Sequence, residues 1–313
     1  MARENNQEKF KTMIGGQALI EGILMRGPEK QSIVVRDPEG ELVVKTEALK
    51  AAKHNWFKLP LIRGVVNFGG SMINGIKALL YSAEFFPEEE GEPSKFDQWL
   101  EKKIGSEKME KYVIYSALVL GIAMAVGLFF LLPTFIAGLF KGLHGNYFAR
   151  NLVEGLVRIV LFMGYMILVS QMKDMKRVFS YHGAEHKTIR CYEAQLPLTV
   201  ENVRPMTRKH PRCGTSFLLV VICISILVGA VIRVDNTLAR MALHLLLLLP
   251  IVSISYEFNR LVGRHDNWFT RILTAPGQWM QNFTTYEPDD SMIEVAIKAL
   301  EEVLPSEEGE DQW

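Results

Sequence analysis

The sequence predicts a mainly α-helical membrane protein with about four transmembrane helices and a small cytoplasmic N-terminal region that contains a β-hairpin. The main observation is three runs without a charged side chain, which cover residues 112–140, 213–232 and 241–256. About 20 apolar residues are enough for a helix to cross about 30 Å of hydrocarbon. The second observation is the charge balance: 35 basic and 35 acidic residues cancel, which excludes a polybasic nucleic-acid-binding protein.

The distribution of charge divides the chain into three predicted regions. Residues 1–111 are polar on average and form a cytoplasmic N-terminal region. Residues 112–258 hold the transmembrane helices and a cytoplasmic loop, and residues 259–313 form a cytoplasmic C-terminal tail. Three cysteines without the spacing of a disulfide framework fit a reducing compartment.

The N-terminal region contains a predicted hairpin and a predicted surface helix. The runs 32–36 and 41–46 are rich in β-forming residues and flank the turn-forming sequence DPEG. The segment GGQALIEGILMRGP before them is predicted to be a structured loop with a polar role, because it mixes glycines with Glu21 and Arg26. Residues 59–86 are apolar but interrupted by glycines, which favours an amphipathic helix at the membrane surface over a span. Residues 87–95 are predicted to be an acidic, solvated linker.

Four spans are predicted in the central region. They cover residues 112–132, 151–172, 214–233 and 238–258, and Pro133 is expected to end the first. Each is close to the length that a bilayer requires. A helical hairpin buried in a large soluble protein is the alternative for the last two, and the presence of four such segments disfavours it.

The charges of the loops predict the orientation. Residues 173–212, between the second and third spans, hold nine lysine and arginine residues, and the other two connections are short. Because basic loops stay in the cytoplasm, this loop and both termini are placed on the cytoplasmic side of the cytoplasmic (inner) membrane. In the tail, Asp289 is a predicted N-cap of an amphipathic helix that is expected to be solvated.

The strongest indication of chemistry is the segment SYHGAEHKT, residues 180–188. His182 and His186 are four residues apart and share one face of a helix, as two ligands of one metal must. Glu185 occupies the position of the general base in the HxxEH pattern of inverted zinc proteases, and Glu193 falls on the same face. The alternative is a basic amphipathic helix whose histidines face lipid head groups.

The predicted topology brings three further candidate ligands to the same membrane face. His210 and Cys213 precede the third span, which begins in the cytoplasm, and Glu257 lies near the end of the fourth span, which returns there. Together with His182 and His186 they form a predicted site for a divalent metal, and their mixed nitrogen, sulfur and oxygen donors suit zinc. Each also has a simpler explanation, since a thiol can be packed at a helix start and a carboxylate can pair with an arginine.

Other polar residues are weaker candidates. Gln17, Glu21 and Arg26 could complete a polar site from the N-terminal segment. The pair Glu154–Arg158 lies within a predicted span, where such a pair fixes helix packing more often than it serves transport. His244 lies in the fourth predicted span, where an ionisable residue marks a functional site by default but binds a neighbouring helix at least as often.

Four blocks of the chain resemble a known family when they are taken together and in order. They are GGQALIEGILMRGP, FSYHGAEHKTIRCYEA, HPRCGTSFLLVV and APGQWMQNFTTYEP. In this respect the chain resembles the YqhQ-like family of bacterial multi-pass membrane proteins, from about Met13 to Glu287. The resemblance implies a metal-dependent enzyme with its metal at the block of His182 and His186, and it implies no particular substrate.

Two classes of function are therefore expected. The first is a hydrolase-like, metal-dependent enzyme at the cytoplasmic membrane face, in which Glu185 deprotonates a water molecule that zinc activates. Its substrate would be a peptide, a lipid head group or another membrane-associated molecule. The second is a non-catalytic assembly factor or transporter in which four protein ligands close a structural metal site. The expected partners are the lipid bilayer and a membrane-associated substrate or protein.

Overall fold

A computed structural model gives the fold and describes residues 10–49, 55–86, 106–143, 145–265, 267–307 and 309–312. The mainly helical fold class is confirmed, and the predicted linker 87–95 lies outside the described residues. The chain forms two compact units. The first comprises Met1–Phe86, Met166–Val221 and Val252–Trp313, and the second comprises Pro87–Tyr165 and Ile222–Ile251.

A four-stranded antiparallel sheet lies in the first unit, with the strands in the order β1-β2-β3-β4. The strands are β1 (Gly15–Leu19), β2 (Gly22–Arg26), β3 (Lys30–Arg36) and β4 (Leu42–Ala48). The predicted hairpin is confirmed as the pair β3–β4, in which Arg36 lies opposite Leu42. The prediction of a loop at residues 15–28 is wrong, since β1 and β2 form a second hairpin there. Packing on both faces of the sheet overrides the weak strand preference of the glycines.

Helices cover the two faces of this sheet. Ile23 and Met25 pack with buried residues of α5 (Lys173–Glu193) and α10 (Asp290–Glu301). Leu19 and Leu24 pack on the other side with Ala78 of α1 (Ile62–Ala83). The first unit therefore has three layers, with the sheet in the middle.

The remaining helices follow the chain. They are α2 (Ser106–Val126), a π-helical segment (Gly127–Leu131), α3 (Leu132–Leu139), α4 (Tyr147–Gln171), α6 (Val200–Val203), α7 (Gly214–Ala230), α8 (Thr237–Arg264) and α9 (Trp268–Thr284). Short 3-10 turns occupy Asn55–Lys58 and Lys141–Leu143. The predicted helix near residues 59–86 is confirmed as α1.

Among the described residues, three helical segments are long and apolar enough to cross a membrane, where the sequence predicted four. They are Tyr112–Leu139, Tyr147–Gln171 and Thr237–Arg264, and the third predicted span is the shorter helix α7, of 17 residues. Pro133 does not end the first segment as expected. It lies in the first turn of α3, after the π-helical segment, where a missing N–H group costs little.

The C-terminal helix α10 is capped as predicted, because the Asp289 side chain accepts a hydrogen bond from the Met292 N–H group at 3.0 Å. The expectation that this helix is solvated is wrong. Val295, Ala296 and Leu300 are fully buried against the sheet and α5. Its apolar stripe is therefore part of the core of the first unit.

A buried network of charged side chains lies in the second unit. The Arg240 Nε atom donates to Glu154 at 2.6 Å, and the His244 Nε2 atom lies 3.3 Å from the same carboxylate. Arg158 donates instead to the Ser225 hydroxyl at 2.9 Å. Glu154 and Arg158 thus bind partners on other helices, which is the packing role that the sequence favoured.

Candidate metal centre

Helix α5 carries both predicted histidine ligands on one face. Their ring centroids lie 4.4 Å apart, as the spacing of four residues requires. Gly183, between them, lies against the chain that follows α9, and a Cβ atom there would clash with the Tyr286 carbonyl oxygen. This close approach brings the backbone of residues 284–286 alongside His182.

Backbone carbonyl groups fix the orientation of both imidazole rings. The His182 Nδ1 atom lies 2.8 Å from the Thr284 oxygen, and the His186 Nδ1 atom lies 2.6 Å from the Arg208 oxygen. Because a carbonyl only accepts, each Nδ1 atom carries a proton and donates it. Each Nε2 atom is then the one that can bind a metal, which is the usual arrangement of metal-binding histidines.

Cys213 completes a group of three ligand atoms with these rings. Its Sγ atom lies 3.2 Å from the His182 Nε2 atom, and the possible ligand atoms of Cys213, His182 and His186 all lie within 4.8 Å of one another. The Thr215 hydroxyl lies 3.0 Å from the same sulfur. Two imidazoles and one thiolate match the donors of zinc, so the residues present fit such an ion.

The electrostatics of the group favour a negative sulfur. Burial raises the pKa of the Cys213 thiol, but the charges of His182 and His186 outweigh burial and hold this pKa well below its usual value. For His182 the balance is reversed, because burial lowers its pKa and the nearby sulfur raises it, with a net value of about 9. The thiol is therefore poised as the thiolate that metal binding requires.

Glu185 is held beside the three ligands by the sheet. The Gly16 N–H group of β1 donates to its Oε1 atom at 2.9 Å, and its Oε2 atom lies 3.9 Å from the His182 Nε2 atom. The latter distance is too long for a hydrogen bond, so this oxygen is not held by the ring. A side chain at position 16 would crowd Glu185, since a Cβ atom there lies 3.1 Å from the Glu185 Cγ atom.

These groups line a cavity of about 320 Å³, which is within the usual size range of small-molecule sites. The lining includes the three candidate ligands, Glu185, His210, residues 12–17, and Ser71 and Asn74 of α1. No pattern in the sequence indicated Ser71 or Asn74. The glycine pair at positions 15 and 16 was the available signal for a close approach of the backbone.

His210 lines the cavity but is bound to a different partner. Its ring centroid lies 5.6 Å from that of His186, and its Nε2 atom lies 3.4 Å from Glu193. Arg212 binds the same carboxylate, so Glu193 belongs to this ion-pair network. Burial lowers the pKa of His210 to about 4, which keeps the ring neutral near pH 7.

Glu257, which the topology placed among the ligands, is engaged elsewhere. The Arg63 Nε atom of α1 donates to its carboxylate at 2.7 Å, and the Leu61 N–H group lies at 3.4 Å. Glu257 does not line the cavity. Glu257 therefore forms an ion pair with Arg63. The sequence predicted only the depth of Glu257 in the membrane, and depth does not specify which side of the helix a side chain faces.

The weaker candidates of the N-terminal segment separate into two groups. Gln17 and Arg26 line the cavity. Glu21 does not, because Arg177 binds its carboxylate and the Tyr181 hydroxyl donates to it at 3.1 Å.

Comparison with known proteins identifies the family. Residues 59–306 match the family described as "Protein of unknown function (DUF1385)". The chain is 33% identical over 303 residues to "Uncharacterized protein YqhQ" of Bacillus subtilis (strain 168), with 96% of this chain and 94% of that protein covered. No solved structure matches the chain. The chain belongs to the DUF1385 family, and its predicted resemblance to YqhQ-like proteins is confirmed.

Proposed function

We propose that this DUF1385 protein is a membrane-bound, metal-dependent enzyme that catalyses a hydrolytic reaction at the cytoplasmic membrane face. The observation that carries the proposal is that two imidazole nitrogens and one sulfur lie close together, with the buried carboxylate of Glu185 beside them as a fourth group that is not counted as a ligand. Catalytic zinc sites have three protein ligands and leave one position open. His182, His186 and Cys213 supply such a set, and Glu185 lies where a general base is needed.

Each residue has a defined task in this proposal. His182, His186 and Cys213 hold the ion, for which zinc is the best fit to the nitrogen and sulfur donors. The ion supplies Lewis-acid activation of water and of the substrate. Glu185 accepts a proton from a water molecule in the cavity and returns it to the leaving group, as general bases of hydrolytic sites do. The Gly16 N–H group orients Glu185, so its second oxygen stays available.

The charge pattern and the apolar helices support the proposed location. The nine basic residues at 173–212 favour the cytoplasmic side for α5 and hence for the site. Three apolar segments of membrane-spanning length support an enzyme that resides in the inner membrane with both termini in the cytoplasm. Its partners are then the lipid bilayer and a substrate that reaches the site from the membrane or its surface.

One observation favours the second class of function. His210 lines the same cavity, with its ring centroid 5.6 Å from that of His186. A rotation of this side chain would supply a fourth protein ligand, and four protein ligands close a zinc site. The protein would then be a non-catalytic assembly factor or transporter with a structural metal.

Metal content and coordination of the purified protein test this proposal. We expect one zinc ion per chain, with an X-ray absorption spectrum of two nitrogen ligands, one sulfur and one oxygen from solvent. His186→Ala should lose the ion because it removes a ligand. Glu185→Gln should keep the ion and lose hydrolytic activity. The matched control is His265→Ala, since this histidine is exposed and does not line the cavity.

Two results would contradict the enzyme proposal. A coordination shell of four protein ligands would support the structural site. Loss of zinc in Glu185→Gln, with the ion retained in His186→Ala, would reverse the roles assigned to these side chains.

A further inference from the structure

We propose that the substrate is a membrane phospholipid with an anionic head group, which enters the metal-centre cavity while one acyl chain lies in an adjoining apolar groove. This inference rests on the proposed function, because it assigns a substrate class to the same site. The evidence is the groove itself, its continuity with the cavity, and an unpaired arginine where the two meet.

The groove lies between α1 and the start of α7, and its volume is about 720 Å³. Its apolar lining consists of Phe68, Met72, Ile76, Leu79, Phe217 and Leu218. Met72, Leu79 and Leu218 are each about 40% exposed, so the described part of the chain does not cover them. An open apolar surface of this kind is typical of a binding groove for an apolar molecule.

The groove is continuous with the metal-centre cavity. Gln17, Arg26, Ser71 and Gly214 line both. Gly214 directly follows the candidate ligand Cys213, so the polar end of the combined space is the candidate metal site. A space that is polar at one end and apolar at the other fits an amphiphile better than a wholly polar solute.

Arg26 supplies a positive charge at the junction. Its side chain is exposed, and no ion pair involves it in the part of the chain that the structure describes. By contrast, the other arginine of the cavity, Arg212, is bound by Glu193. A guanidinium group binds phosphate through two parallel hydrogen bonds, so Arg26 is placed to hold the phosphate of a head group.

A phospholipid fits the groove better than a peptide does. An extended peptide needs hydrogen-bond partners for its N–H and C=O groups. Apart from Gln17 of β1 and Arg26 of β2, the groove is lined mainly by helices, whose own backbone groups are already paired, and the exposed surface of the groove is mainly apolar. An acyl chain has no polar group to satisfy.

Photo-crosslinking of the full-length protein in phosphatidylcholine nanodiscs tests the proposal. The probe is phosphatidic acid with a diazirine in one acyl chain, and mass spectrometry locates the labelled residues. We expect labels within residues 62–83 and 214–218. Met72→Trp should lower the labelling about tenfold, the change expected when roughly two methylene groups lose their place in the groove.

The neighbouring residue provides the matched control. Ile73 is 56% exposed on the same helix and does not line the groove, so Ile73→Trp should leave labelling unchanged. Leu79→Trp is a second blocking variant in case Met72→Trp does not fold. Arg26→Gln should reduce labelling by the phosphatidic acid probe to the level of a diacylglycerol probe, which lacks the phosphate.

The outcomes separate this proposal from the proposed function. Equal labelling of Met72→Trp and Ile73→Trp would mean that the probe reacts only as part of the lipid that surrounds any membrane protein, and this result would overturn the inference. Displacement of the probe by an apolar single-span peptide, but not by unlabelled phosphatidic acid, would also overturn it. His182→Ala should lose zinc and keep the labelling, so failure of the metal site and failure of the groove are distinguishable.

Discussion

Cys213 and Cys191 are both buried, but their neighbouring groups give the two thiols different pKa values. Burial alone acts on Cys191 and raises its pKa, and its sulfur faces the carbonyl oxygens of Leu196 and Pro197. At Cys213 two imidazole rings reverse the effect of burial. Only Cys213 is therefore suited to bind a metal as a thiolate.

This contrast predicts the effect of removing each sulfur. Cys213→Ser should weaken zinc binding about 100-fold or more, because a serine hydroxyl does not ionise near pH 7 and so does not replace the thiolate ligand. Loss of a residue that only holds a ligand in place typically weakens metal binding about 10- to 100-fold, and loss of the ligand itself should cost at least as much. Cys191→Ser should leave the affinity unchanged. Competition with a chromophoric chelator measures both constants. Equal affinities in the two variants would exclude Cys213 from the site.

The sequence predicted the three candidate ligands of this site from helical spacing and from topology. The spacing of four residues is enough to place His182 and His186 on one helical face, and topology is enough to place Cys213 at a similar depth. Neither says which way a side chain points around its helix, so the assignment of Glu257 was not supported. The carbonyl groups that orient the rings belong to residues distant in sequence, Thr284 and Arg208, and no local pattern encodes them.

At the scale of elements, composition predicted helices better than strands. Long apolar runs predicted the membrane-length helices because length and hydropathy are local properties. The strand β2 was missed because its first four residues are all buried, so the sequence does not show the alternation of a strand exposed on one side. The strand β1 was missed because it is short and begins with two glycines, which are rare in strands. The helix α9 also escaped prediction, with Pro276 within it.

The buried ion pair between α4 and α8 gives a prediction at this scale. Arg240→Met should destabilise the protein by about 3–5 kcal/mol, because it leaves the Glu154 charge buried without its main partner. Adding Glu154→Leu to it should restore much of the loss, since the double variant buries neither charge. Thermal unfolding in detergent measures the differences. The control is the exposed residue Arg233, and Arg233→Met should change stability by less than about 0.5 kcal/mol.

If the single and double variants were equally unstable, the arginine would be needed for packing by its side-chain stem rather than for the ion pair. His244 and Arg150 also lie within 3.5 Å of Glu154. Some of the carboxylate's stabilisation should therefore persist in Arg240→Met.

At the scale of the whole molecule, the core of the first unit constrains the topology in the membrane. Tyr181 of α5 and Leu300 of α10 belong to one buried cluster with Ile23 of the sheet. These three elements must then lie on the same side of the membrane. The chain between α5 and α10 must cross the bilayer an even number of times, and so must the chain between the sheet and α5.

This parity argument bears on the short helix α7. Between α5 and α10 lies α8, whose 28 residues are long enough to cross. If α8 crosses once, another crossing is needed, and α7 is the apolar helix available for it. Its 17 residues extend about 25 Å at 1.5 Å per residue, and the apolar residues Val231 and Ile232 follow it. We therefore expect four crossings, with the connection between α7 and α8 outside the cell.

Cysteine labelling of intact cells checks this topology. In a variant without native cysteines, we expect a membrane-impermeant maleimide to label Gly142→Cys and Arg233→Cys, because both positions follow an outward crossing. Ala194→Cys and Glu301→Cys should react only after the cells are permeabilised, since both adjoin the core of the first unit, which the proposed topology places in the cytoplasm. All four native residues are exposed, so a cysteine that does not react with the maleimide is shielded by the membrane and not by burial within the protein. Protection of Arg233→Cys in intact cells, together with labelling of Gly142→Cys, would mean that neither α7 nor α8 crosses, and the candidate site would then have no transmembrane helix directly after Cys213.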